Sequence, residues 1–270
     1  MLVAHKIALD PTNVQRTYFA KASGVARFAY NWALEQWQRQ YQAGEKPTEA
    51  TLRKQLNYMK AEAFPWMLEV GKVAPQQAVK DLGSAFQRFF RGEAHYPRFK
   101  RKGVHDCFRA DNGPSRKGVD AVEVHGTRIR LPRIGWIRMR EALRFRGHIK
   151  SAVVSRMADR WFVSLLVDLG DVFTSSRENQ AAAVGVDMGV KALATLSTGE
   201  VIEGPKPYRA LILRVRRLSK SLSRKQKGSA NWRKAKVRIA RFHARIANIR
   251  RDALHKLTTR LDARILACGH

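Results

Sequence analysis

One acidic residue stands where this chain could do chemistry. Asp187 interrupts the apolar run Ala182-Ala183-Val184-Gly185-Val186-Asp187-Met188-Gly189-Val190, which reads as a strand of the buried type. An isolated carboxylate in an apolar setting is strongly disfavoured unless it is partnered, and a divalent cation is one such partner. Gly185 and Gly189 would let a phosphate or a second metal come close to the backbone, an arrangement suited to metal-assisted phosphodiester cleavage. A backbone amide in a strand-turn-strand corner is the other partner to weigh. The Asp-x-Gly motif by itself leaves both open.

Other chemistries are less well supplied. An Asp-x-Gly corner also opens the ATP-binding fold of actin-like and sugar-kinase proteins, but those need a second phosphate loop and an adenosine pocket, which nothing after Arg260 is expected to provide. No Walker-type loop, Ser-His-Asp order or His-Glu-x-x-His occurs. The histidines, at positions 5, 95, 105, 125, 148, 243, 255 and 270, show no ligand spacing. Cys107 and Cys268 are the two cysteines, without a Cys-x-x-Cys pair, so neither a disulfide framework nor a zinc site can be argued.

Charge decides the class of partner. The 270 residues carry 52 Lys plus Arg against 22 Asp plus Glu, a formal net charge of +30. Self-repulsion at that charge opposes compaction, and it is relieved when phosphates lie against the basic faces and release their condensed counterions. Nucleic acid is the expected ligand. No run approaches the roughly 20 apolar residues of a spanning helix, and MLVAHKIALD is not a secretory signal. A soluble protein of the cytoplasm, associated with the nucleoid and not with a membrane, is the expectation. At 44% hydrophobic residues the chain can build real cores, and its length suggests one to three domains on the rule of about 100 to 200 residues each.

The elements that must position these residues follow from periodicity. Val3 to Leu9 reads as a strand. From Pro11 the chain turns helical, with Phe28, Trp32, Leu34 and Trp37 near helical spacing, and further helices are expected at 52–64 and 76–90 with breaks at Pro47, Pro65 and Pro75. Tyr96-Pro97-Arg98-Phe99-Lys100-Arg101-Lys102 is an aromatic and basic run whose rings either pack in the core or contact bases. The period then becomes two. Val122 and Val124, Ile129 and Leu131, and Ile137 and Met139 alternate with Arg128, Arg130, Arg138 and Arg140, which predicts strands with one basic face; at this net charge that face reads as a phosphate contact. A hairpin follows, Ile149 to Met157 and Trp161 to Val167 about a turn at Ala158, and the strands together suggest a small barrel. Residues 171–181 lack any apolar period and read as a linker.

Between Pro205 and Arg260 the sequence holds 19 Lys plus Arg and one acid, Asp252. Leu211, Val215, Leu218 and Leu222 form one apolar stripe, and Ile239, Phe242, Ile246, Ile249, Ala253 and Leu257 a second, broken at Lys227-Gly228-Ser229. This predicts a basic helical hairpin. A solvated helix pair would mix charge signs for pairing at i, i+4, and these signs are unmixed. Arg224, Lys225, Lys227, Arg233, Lys234, Arg241 and Arg245 are its candidate nucleic-acid contacts.

Arg27-Phe28-Ala29-Tyr30-Asn31-Trp32-Ala33-Leu34, Tyr96-Pro97-Arg98-Phe99-Lys100, Gly135-Trp136-Ile137-Arg138-Met139, Val184 through Ala194, and Leu222 through Ser229 continuing to Ala244-Arg245-Ile246-Ala247-Asn248-Ile249-Arg250 together resemble the TnpB/OrfB proteins of bacterial insertion sequences. The match runs in order over nearly the whole chain. The resemblance implies an α+β multidomain fold, with a helical recognition domain (11–95) inserted in an OB-like β-barrel (1–10 and 96–170), the linker 171–181, and a RuvC-like domain of the ribonuclease H fold (182–270). It further implies an RNA-guided DNA endonuclease, with a transposon-derived guide RNA and double-stranded target DNA as partners and two magnesium ions held by three carboxylates. Asp187 matches the first. The family's second is a Glu on a strand after the basic hairpin, and its third an Asp beyond a four-cysteine zinc ribbon. This sequence departs from that pattern after Leu261, and Asp252 and Asp262 are poor substitutes. A chain of these 270 residues is therefore expected not to cut DNA alone. Three readings follow: a truncated nuclease that still binds nucleic acid, a binder that uses guided recognition without cleavage as a repressor or modulator, and a nuclease completed in trans.

Overall fold

The computed structural model describes residues 1–104, 106–112, 120–170 and 184–267. The expected linker at 171–181, Ala182, Ala183 and Cys268 lie outside the described residues. The chain divides into two units, 1–174 and 175–270.

In the first unit, strand β1 (Leu2–Asp10) leads into helix α1 (Asn13–Gln42). Thr12 starts the helix because its side chain accepts from the Gln15 N–H while Gln15 Oε1 accepts from the Thr12 N–H, so two otherwise orphaned donors are satisfied. Thr48 and Thr51 repeat the device at α2 (Glu49–Ala63). A 3-10 turn (Pro65–Glu69) and α3 (Val73–Phe90) complete the helical part. Pro75 does not precede α3 as the sequence suggested; it lies in its first turn, where its missing N–H would have had no intrahelical acceptor.

Strands β2 (Cys107–Asp111), β3 (Glu123–His125), β4 (Arg128–Leu131), β5 (Gly135–Met139), β6 (His148–Met157) and β7 (Arg160–Asp168) join β1 in a seven-stranded sheet. Its order is β2-β6-β7-β1-β5-β4-β3, all pairs antiparallel. β1 spends Leu2–Ala8 on β7 and Leu9–Asp10 on β5, so one long strand joins the two halves of the sheet. The two-residue period is realised: Ile129, Leu131, Ile137, Met139, Val163, Leu165 and Val167 are all buried. The β6–β7 turn takes the left-handed backbone at Ala158, φ 56°.

Phe19 carries the helix onto the sheet. It is fully buried, with ring centroids 5.2 Å from Trp161 and 5.8 Å from Phe108, and burial of such a ring stabilises by about 1.5–3 kcal/mol. Around it Ala22, Val25, Ala26, Ala29 and Ala33 present a small-residue face of α1 to the core.

The second unit holds a three-stranded antiparallel sheet, β10-β9-β8, of β8 (Val186–Asp187), β9 (Ala194–Leu196) and β10 (Val201–Ile202). It continues into α4 (Pro207–Ser223) and α5 (Ala230–Ala267), which form a hairpin. The apolar stripes meet within it: Val215 and Ile246 are buried, and Leu211, Leu218, Ile239, Phe242 and Ile249 partly so, while Leu257 is buried on the part of α5 that extends past α4. Arg214 adds a contact between the two helices, its guanidinium 4.9 Å from the Phe242 ring centre.

Candidate nucleic-acid interface

Asp187 lies on β8 opposite Thr195 of β9, and Thr195 is in turn opposite Val201 of β10. Side chains alternate across a strand, so these three share one face, and all three are exposed. The other face carries Ala194 and Leu196, both buried. The buried strand expected around Asp187 is thus corrected: Asp187 is exposed on one face, and its neighbours Val186 and Met188, on the other, are 41% and 56% exposed as well. Water then solvates the carboxylate, and the desolvation argument for a metal partner loses its premise.

Two metal ions require several oxygen ligands held together, and among the described residues no three His, Cys, Asp or Glu side chains converge. What does converge beyond Asp187 is positive charge. The loop after β8, the segment leading into α4 and a stretch of α5 wall a cavity of about 310 Å³ lined by Lys191, Lys206 and Arg250 together with Gly189, Gly204 and Leu254. Those cations were not singled out from the sequence. Only Lys191, two residues past Gly189, carried a local signal.

The hairpin displays most of its expected contacts. Arg224, Lys227, Arg233, Lys234, Arg241 and Arg245 are exposed, and Lys225 is half-buried in the turn. Lys256 pairs with Asp252 at 2.8 Å, and Arg260 reaches Glu200 at 2.6 Å, tying the later part of α5 to the β9–β10 turn.

In the first unit the expected basic face is narrower. Arg128 and Arg138 are exposed cross-strand neighbours, an arrangement of like charges that an anion would relieve. Arg140 lies just past β5, exposed, its backbone N–H donating to Ala8 O. Arg130 departs from expectation. It pairs with Glu123 directly across the ladder and donates to Asp120 O at 2.9 Å, so its charge is already neutralised.

Lys100 is likewise diverted, its ammonium lying 4.0 Å from the Tyr30 ring centre. Its backbone is clasped by Asn31, which donates Nδ2 to Lys100 O at 3.0 Å and accepts the Lys100 N–H at 2.8 Å. Arg98, Arg101 and Lys102 remain exposed on either side. Asp106 supports the same loop: it accepts from Arg27 Nη1 at 2.9 Å and from the Gly103 N–H at 3.0 Å.

A basic hairpin, basic loops and a small sheet with an exposed aspartate make up the candidate interface, and sequence comparison relates the chain to proteins of insertion sequences. Residues 164–267 match the family described as "Probable transposase", and residues 1–46 match one described as "Helix-turn-helix domain"; in the structure the latter stretch is β1, the single helix α1 and the turn after it. The chain is 36% identical over 260 residues to "Putative RNA-guided DNA endonuclease InsQ" of Escherichia coli strain K12, and 36% identical over 264 residues to a "Putative RNA-guided DNA endonuclease" of Streptomyces pristinaespiralis. Each alignment covers 96% of this chain and 63% of the relative. The chain therefore belongs to the TnpB/OrfB family of insertion-sequence proteins, and it spans about 63% of the length of these relatives. A solved CRISPR-Cas12f ternary complex contains a chain that aligns over 92% of this one and 60% of its own length, with 11% identity and a TM-score of 0.37. No described helix is long and apolar enough to cross a membrane.

Proposed function

We propose that this 270-residue chain binds RNA and DNA as the recognition portion of an RNA-guided DNA endonuclease system, and that it does not cut DNA by itself. The observation that carries the reading is the hairpin, with 19 cations against one acid between Pro205 and Arg260. Its apolar stripes are consumed between α4 and α5, so the charge is left on the outside, where like-charged neighbours are unfavourable without an anion. In this reading the seven-stranded sheet is the OB-like barrel, residues 11–95 recognise the target, and residues 182–270 are RuvC-like. Guide RNA lies along the basic faces. Asp187 is the first carboxylate of a magnesium site, and among the described residues no three His, Cys, Asp or Glu side chains converge to hold the ion. A binder without cleavage is favoured over a nuclease by that donor set.

The test is binding of a structured RNA and of duplex DNA across a salt series, beside a cleavage assay with magnesium. Binding should weaken steeply with salt, since each neutralised phosphate contributes about −0.9 to the log-log slope on B-DNA. Replacing Arg233, Lys234, Arg241 and Arg245 by Gln should flatten that slope, and no nicking should appear. Unchanged slopes would remove the hairpin from the interface, and magnesium-dependent cutting by the purified chain would overturn the second half of the reading.

A further inference from the structure

Between α3 and the loop that returns to the sheet lies a ring cluster that packing alone does not account for. Phe86 is its buried hub, stacked on Trp37 at 4.1 Å between centroids with planes 13° apart, and stacked on Phe90 at 6.0 Å and 23°. Tyr96 meets Phe86 and Phe89 edge-on at 5.5 and 5.2 Å. The outer members are wet: Phe90 is 68% and Tyr96 41% exposed, and Phe99, three residues on, is 51% exposed. Between Arg88 and Lys102 the chain carries six cations and one acid, Glu93. The segment is held in place by the Asn31 clasp on Lys100.

We infer that Phe90 and Tyr96 form a stacking platform for the bases of single-stranded nucleic acid, flanked by Arg91 and Arg98 for the backbone. The inference rests on the nucleic-acid reading above and sharpens it to a strand whose bases are unpaired. Every base offers a π-face, so exposed rings beside cations bind single strands with little sequence preference. A duplex hides those faces and would use only the cations.

The experiment is fluorescence anisotropy of the full chain with an unstructured oligo-uridine and with a duplex of the same length, across a salt series. Phe90→Ala with Tyr96→Ala should weaken single-strand binding about 5- to 100-fold, as expected for the loss of base stacking, and leave the salt slope and duplex affinity unchanged. Arg91→Gln with Arg98→Gln should instead flatten the slope for both ligands. Phe90→Tyr with Tyr96→Phe, which keeps both rings, should retain wild-type binding, and 2-aminopurine in the oligonucleotide should be quenched by the wild type but not by the alanine variant. Equal single-strand affinity in the alanine variant, or an equal loss on the duplex, overturns the platform while leaving the broader reading intact. A wild-type chain that binds neither ligand at low salt overturns both.

Discussion

Asn31 and Lys100 exchange two hydrogen bonds across 69 positions of sequence, at 3.0 and 2.8 Å. One short amide side chain on α1 thereby fixes the backbone of the basic loop. Net contributions of about 0.5–1.5 kcal/mol per bond put the cost of Asn31→Ala at about 1–3 kcal/mol. Its more telling effect is local: trypsin should cut faster after Arg98, Lys100, Arg101 and Lys102 in the variant, while sites on α5 are cut at the same rate. Uniform acceleration at all sites would mean that Asn31 holds the unit together and not the loop.

His5 gives the first unit an acid sensitivity. It is buried, and the desolvation of its imidazole lowers its pKa below the ordinary value, outweighing the nearby Glu141 carboxylate at 3.6 Å; the Arg144 charge lowers it further. A folded-state pKa below the unfolded one means that the unfolded chain takes up the proton first. The stabilisation is therefore complete above about 6.5, the ordinary histidine value, and is lost as pH falls through the lower folded value. Urea midpoints measured from pH 8 to pH 5 should fall on the acid side in the wild type and fall less in His5→Gln. Parallel curves would remove His5 as the cause.

These cases mark what the residues disclosed and what they withheld. The alternation Ile129, Leu131, Ile137, Met139 and the two helical stripes, one holding Val215 and the other Ile246 and Leu257, were legible because each is a local period that one packed face enforces. The fate of Arg130 was half legible: Glu123 and Arg130 flank a turn at Gly126, and only the register of the hairpin makes them ladder partners. Lys100 over Tyr30 and the Asn31 clasp were not legible, being tertiary contacts between distant segments. The exposure of Asp187 was misread because an apolar run reports what a strand is built to pack against, and the run itself does not contain that layer.

Gly83 is a position where helix propensity and packing oppose each other. On α3, alanine in place of glycine favours the helix by about 1 kcal/mol. A Cβ at Gly83, however, would lie 2.7 Å from Cβ of Glu49, at the start of α2. The helices must part by several tenths of an ångström, and overpacking of this kind costs about 1–3 kcal/mol. Gly83→Ala should therefore lower the thermal midpoint. A higher midpoint would show that α2 yields freely.

Asp187→Ala should leave the fold and the binding untouched. The side chain is exposed on an uncovered sheet face, and surface substitutions away from packed or hydrogen-bonded groups stay within about 0.5 kcal/mol. Thermal unfolding and RNA affinity at several salt concentrations are the measurements. A loss of stability well beyond that range would restore a buried, partnered carboxylate at this position.

The hairpin of the second unit depends on few apolar contacts for its length. α5 runs for 38 residues and α4 for 17, so only part of α5 lies beside α4, and the Arg260–Glu200 pair supports a later part. That pair is largely solvated, with Arg260 51% exposed, and contributes little. Ile246 matters more: it is 5% exposed, and truncation of a buried Ile to Ala costs about 2–5 kcal/mol. With most neighbouring contacts half-buried, a value near the lower end is expected. Ile246→Ala should therefore loosen α5 against proteolysis and reduce RNA affinity by disordering the cations on both helices, whereas Arg260→Ala should change neither measurably. If the two variants behave alike, the charges are held by helix formation alone and the apolar stripe does not set their geometry.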